Sequence, residues 1–172
     1  MPQAHPHGLG LEAGANRLVD YDPRWPRAFA LEAARIRSVV GSLALAIEHY
    51  GSTAVPGLRA KPILDLLIGV ADIDDGLEMI APMASLGYDY AGSQGIPEHH
   101  IFGLGLARTH LAHVVAFEGD QWRRCLRFRD RLRSDPDLRA TYQAIKAQLA
   151  DGGLSRADYT AGKTAFVVAN SA

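Results

Sequence analysis

Apolar residues recur at spacings of three and four from Phe29 through Ala33 and Ile36 to Val40, which predicts a helix with one buried face. Asp22-Pro23 precedes that stripe and offers an N-cap followed by a first-turn proline. Leu43 to Tyr50 reads as a strand and Gly51 to Arg59 as a Gly/Pro-punctuated loop. Ile63 to Val70 is a continuous apolar run of the kind a central strand needs when both its faces are covered, and Asp65 is the single charge inside it. Asp74 to Leu86 predicts a helix that tolerates Pro82 poorly, Tyr88 to Ala91 a short strand, and His100 to Phe117 a hairpin turning near Gly103 to Ala107. Three helical stretches follow, at about 120–134, 136–150 and 156–169, with Pro136 after Asp135 and Ser155 before Arg156 marking helix starts. This order predicts an α+β or mixed α/β fold: one central sheet flanked by helices, with a helical C-terminal part. Residues 1–17 mix Gly, Pro, His and Ala without a period and read as a flexible N-terminal arm, in which His5 and His7 take no ligand role; 18–170 read as a single domain.

Composition narrows the function. The 172 residues are 48% hydrophobic and 22% charged, an ordinary globular balance that needs no disulfide or metal staple, and the one cysteine, Cys125, has no intrachain partner. There is no apolar run long enough to span a membrane and no secretory leader pattern at the start, so a cytoplasmic location without a membrane partner is expected. The net charge of −1 speaks against a nucleic-acid partner. Fifteen of the eighteen basic residues are arginine, and seven of them fall between Gln121 and Arg139. There Trp122, Leu126, Arg129 and Leu132 or Arg133 share one helical stripe with a basic flank, which reads first as a solvated face.

Candidate chemistry concentrates in IEHYGSTAVPGLRAKPILDLLIGV, residues 47–70, where a strand feeds a Gly-Ser turn and Asp65 follows on a second strand. Gly51 lets a backbone approach a ligand, Ser52 and Thr53 offer hydroxyl and N–H donors to phosphate oxygens, and Lys61 can neutralise the same phosphates. An ionised Asp65 in a buried strand needs a cation or hydrogen-bond donors. Arg129 suits either an anionic substrate or a clip holding the C-terminal helices to the sheet. His49, His99, His100, His110 and His113 could gather near the turn. On a regular strand, however, His110 and His113 fall on opposite faces, and of these histidines His113 is the one retained for chemistry.

The run EHYGSTAVPGLRAKPILDLL resembles the signature of the GrpB-like family, whose fold is of the nucleotidyltransferase type. The segments YDPRWPRAF, GIPEHHIFG, RTHLAHVV, WRRCLRFRDRLRSDP and YTAGKTAF extend the resemblance over about residues 19 to 168, and some family members are similar to a domain appended to a dephospho-coenzyme A kinase. The resemblance implies a nucleotidyltransferase-like core that binds a nucleotide or other phosphorylated small molecule and could transfer a nucleotidyl group, with room for a homo-oligomer. It also implies Mg²⁺ on Asp65, Lys61 or Arg129 opposing charge on the transferred group, and His113 beside them. Glu48, His49, Gly51, Ser52, Thr53 and Arg129 would complete the substrate site. Nucleotidyltransferases of this fold carry two carboxylates one residue apart, whereas here Leu67 stands two residues after Asp65 and Glu48 is the nearest other acid. The alternative is therefore a non-catalytic binding or folding-accessory module of the same fold that lacks the second metal carboxylate.

Overall fold

The apolar run forms strand β2 (Leu64–Val70), and the rest of the sheet is laid down around it. The computed structural model describes residues 7–172, so His5 and the first part of the expected arm lie outside the described residues. Strand β1 (Ala46–Tyr50) pairs antiparallel with one edge of β2, and β5 (His110–Ala116) pairs parallel with the other. Strand β4 (His100–Leu104) continues antiparallel from β5, and β3 (Tyr88–Tyr90) closes the far side, giving the order β1-β2-β5-β4-β3. The hairpin predicted around Gly103 to Ala107 is thus β4–β5.

Alternation along β2 assigns its two faces. Leu66, Ile68 and Val70 pack with Phe102, Ala112 and Val114 under helix α1 (Trp25–Val40), which contributes Ile36 and Val40. Met79 and Met83 cover the same face. The predicted helix over 74–86 is split into α2 (Asp75–Glu78) and α3 (Ile80–Ser85). The cause is Pro82, which has no N–H to give to the Glu78 carbonyl and whose ring crowds it. Glu32 sits in the buried stripe of α1 and is satisfied there by the Tyr88 hydroxyl and the Arg35 guanidinium, each at 2.8 Å.

The opposite face carries Leu67 and Val115 beneath Trp122 of α4 (Asp120–Ser134). Helices α5 (Pro136–Asp151) and α6 (Arg156–Ala169) stack beyond α4. Asp135 caps α5 through Leu138 N–H at 2.9 Å, and Ser155 caps α6 through Asp158 N–H at 3.1 Å. Val55 and Leu58 of the loop after β1 pack with Leu132 and Tyr142, so this loop is the hinge point between sheet and helices.

The segment expected to be a loose arm is docked over part of its described length. Leu9 and Leu11 are buried, Leu11 exchanges backbone hydrogen bonds with Arg108, and Gly10 N–H donates to the Pro62 carbonyl. Two apolar residues in a glycine-rich stretch are too few to show a period, which is why the pattern did not show this docking.

Gly51 has φ 72°, and a Cβ on it would stand 2.5 Å from Asp65 Oδ2. Gly57, with φ 79°, has nothing within 4 Å of the same position. Gly51→Ala should therefore cost about 3 kcal/mol, backbone strain plus the clash, whereas Gly57→Ala should cost about 1 kcal/mol from strain alone. Urea melts of the two variants measure the difference, and equal losses would remove the steric role of Asp65.

Candidate functional site

Strand β1 ends at Tyr50, paired opposite Asp65 of β2, and Gly51 turns the chain so that its backbone lies against the Asp65 carboxylate. Ser52 and Thr53 follow in a single 3-10 turn. Asp65 and Tyr50, on the face away from α1, open with His113 of β5 into a cleft of about 1550 Å³ between the sheet, α4 and α6.

Lysines line the wall facing Asp65. Lys146 of α5 is almost fully buried; its amine donates to Ser52 Oγ at 3.0 Å and also to the Arg59 carbonyl. Lys61 lies 3.7 Å from the centroid of the Tyr159 ring and donates to Asn16 Oδ1 at 2.7 Å. Lys163 of α6 lies 4.8 Å from the same ring, so two amines approach Tyr159. Burial pushes the Lys146 amine down to about 7, helped by repulsion from Lys163 and Arg59. Burial, with Lys163 and Arg156 beside it, takes Lys61 down to about 8. Lys163 is lowered as well, again by burial. Asp65 is the acid that opposes all three shifts. Arg156, at the start of α6, also lines the cleft, and its Nε and Nη2 are buried without a hydrogen-bond partner among the described residues.

On the sheet side, His113 Nε2 stands 3.6 Å from Asp65 Oδ1, an electrostatic contact too long for a hydrogen bond. His113 Nδ1 meets His99 Nε2 at 2.8 Å. Which of the two rings donates in that contact depends on which ring nitrogen carries the proton. His99 Nδ1 is buried without a hydrogen-bond partner among the described residues, and burial holds the His99 imidazole down to about 3.

The structure brings Gly51, Ser52, Thr53, Lys61, Asp65, His113 and Arg129 to the walls of one cleft. It does not bring His49 there. His49 follows Glu48 by one residue and so points to the other face of β1. There it stacks on Phe29 at 4.9 Å, bonds Thr53 Oγ1 at 3.0 Å, and is held down to about 4 by burial. The Thr53 hydroxyl is thereby turned to His49 and away from the cleft. Glu48 is not a second carboxylate for Asp65, because its Oε2 is taken by Arg129 Nη1 at 2.8 Å. Arg129 also donates to the His49 carbonyl and to Asp130, so the clip between α4 and β1 uses most of its fork.

The donor set does not fit a resident Mg²⁺. Leu67, the next residue on the face of Asp65, is buried apolar core. Among the described residues no three His, Cys, Asp or Glu side chains form a group able to hold a metal ion. The groups around Asp65 are lysine amines, an imidazole, the Tyr50 ring and the Cys125 thiol, which is pushed up to about 11 by burial. Mg²⁺ calls for several oxygen ligands in octahedral array.

On the sequence Lys146 and Lys163 are phosphate candidates only where the fold turns them toward Ser52, a condition Lys146 meets at 3.0 Å, whereas Arg156 enters the cleft from the fold alone. One signal did exist in the sequence: the chain has only three lysines, and all three line this cleft.

Comparison with known proteins agrees with this architecture. A UPF0157 protein of Halalkalibacterium halodurans is 43% identical over 136 residues, covering 77% of this chain and 68% of that protein. A protein named dephospho-CoA kinase from Mycolicibacterium paratuberculosis is 30% identical over 169 residues, which are 80% of this chain but 41% of that one. The crystal structure of GrpB from Enterococcus faecalis superposes with a TM-score of 0.81 at 33% identity, over 90% of this chain and 94% of that one. The Cid1 poly(U) polymerase shares the fold at a TM-score of 0.51 and 14% identity, over 78% of this chain and 43% of that one. The mixed sheet, flanked by helices and followed by a helical part, is thus a nucleotidyltransferase-like fold. No helix among the described residues is long and apolar enough to cross a membrane. The family model described as GrpB protein matches residues 16–171, and the chain belongs to the GrpB family.

Proposed function

We propose that this protein binds a nucleotide or another phosphate-bearing small molecule in the cleft between the Gly51-Ser52 turn and α6. The observation that carries the reading is the Lys146 amine, buried at hydrogen-bond distance from Ser52 Oγ and accompanied by the other two lysines of the chain. Burying amines against one another is unfavourable, and burial costs the charged form most. An anion in the cleft reverses that cost, since each phosphate oxygen restores the Coulomb partner and hydrogen-bond acceptor that water no longer supplies. The fold shared with Cid1 supports a nucleotide as one such anion.

The role proposed is binding rather than nucleotidyl transfer. Transfer by the route of the fold requires two carboxylates around metal, and Asp65 here faces His113 and amines instead. The arrangement supports a module that holds its ligand between Ser52, Lys61, Lys146 and Lys163, with Asp65 and His113 across from them.

Thermal melts in ATP, CTP, GTP and UTP test this reading. At a hundredfold excess over its dissociation constant a ligand stabilises by about 2.7 kcal/mol, which for a chain of this size raises Tm by roughly 5–10 °C. Lys146→Met should abolish the rise; because it also removes the hydrogen bonds to Ser52 Oγ and the Arg59 carbonyl, the unliganded protein should lose about 1–3 kcal/mol while still folding. A panel with no shift, or a shift that survives Lys146→Met, refutes the reading.

The same lysines set a pH dependence. Their depressed values mean that between about 7 and 9 the free protein lacks protons that the bound state keeps, because a phosphate favours the charged amine. Affinity should therefore fall as pH rises through 7 to 8, with proton uptake on binding. Calorimetry at pH 8 in two buffers of different ionisation enthalpy checks it; identical heats would mean that no amine changes protonation.

A further inference from the structure

We infer that the cleft takes its anion as a bare polyphosphate chain without a divalent cation, gripped by the Arg156 fork and the three lysines. This rests on the phosphate reading above and adds to it the ionic form of the ligand and a further binding residue.

Three observations carry it. First, Arg156 Nε and Nη2 are two adjacent donors on one planar guanidinium, buried at the cleft without a partner among the described residues. Buried donors of this kind are normally satisfied, and this edge of a guanidinium matches two oxygens of one phosphate. Second, the charges are lopsided. Lys61, Lys146, Lys163, Arg124 and Arg156 line the cleft with no carboxylate partner among the described residues, and the acidic side chains that line it there are Asp65 and Asp89, the latter already held by Arg108. A triphosphate chain complexed with Mg²⁺ arrives with much of its charge neutralised and matches such a wall less well than the free tetra-anion. Third, the oxygen ligands that would bring a metal are missing or engaged: Leu67 is buried and apolar, and Glu48 is tied to Arg129.

The choice of amine fits the same picture. Fifteen of the eighteen basic side chains are arginine, yet the three lysines all meet in one place. Lysine can be buried neutral and recharged when an anion arrives, which arginine cannot do. Positive charge is thus supplied on demand by the protein, where a nucleotidyltransferase of the two-carboxylate type supplies it with metal.

Isothermal titration with inorganic tripolyphosphate, in excess EDTA and in excess Mg²⁺, decides the matter. The expected result is binding in EDTA at least as tight as in Mg²⁺. Arg156→Lys, which keeps the charge but loses the fork, should weaken it by about tenfold. Binding that appears only with Mg²⁺ overturns the inference and leaves the phosphate reading standing, and this comparison uses the unaltered protein. Failure to bind in both conditions defeats the inference; if the nucleotide panel is also silent, the phosphate reading falls with it. Unchanged affinity in a folded Arg156→Lys removes Arg156 from the site.

Discussion

The Lys146 amine holds the Ser52 hydroxyl and the Arg59 carbonyl at once, and through it α5 is fixed to both ends of the loop that leaves β1. The sheet and the helical part also meet through apolar contacts of Val55 and Leu58 and beneath Trp122, which set distance but little direction, and through the Arg129 clip to Glu48 and the His49 carbonyl. A hydrogen-bonded amine in a nearly dry site is directional, and leaving it unmatched would be costly. The Gly51-Ser52 turn is therefore constrained from two sides, by Lys146 above and by the Asp65 carboxylate below, and the cleft is the space those constraints leave.

Much of the sheet could be read from local pattern, above all from the continuous apolar run of its central strand. The apolar run of β2, the loop from Gly51 and the helix starts at Pro136 and Ser155 lie where local chemistry placed them. Gly51 and Asp65 were found together because a glycine and a lone acid break an otherwise apolar pattern. His49 shows where reading by neighbourhood in the sequence misleads: its position one residue from Tyr50 puts it on the opposite face of a strand, against Phe29. Glu48, by contrast, is on the right face and is lost to Arg129, eighty-one residues away.

The helical contributions were harder for a physical reason. Lys146 comes to Ser52 only through the packing of α5, and no local period encodes an approach across ninety-four residues of chain, whereas Lys163 meets Tyr159 within α6 at helical i,i+4 spacing. What the sequence does encode is scarcity: lysine is rare in this chain, and rarity in a basic set dominated by arginine marks positions where the two are not interchangeable.

The residues before α1 form more than packing. Asn16 accepts from Lys61 through Oδ1 and donates through Nδ2 to the Leu154 carbonyl just ahead of α6, at 2.7 Å in each case. A neutral amide thus occupies the amine in the resting protein, as a placeholder that supplies an acceptor without cancelling the charge. In the proposed binding mode an incoming anion would exchange one acceptor for a stronger one at that amine, with no carboxylate to displace. The Nδ2 bond to Leu154 is separate from that exchange, so one amide joins the N-terminal segment both to the cleft lysine and to the α5–α6 loop.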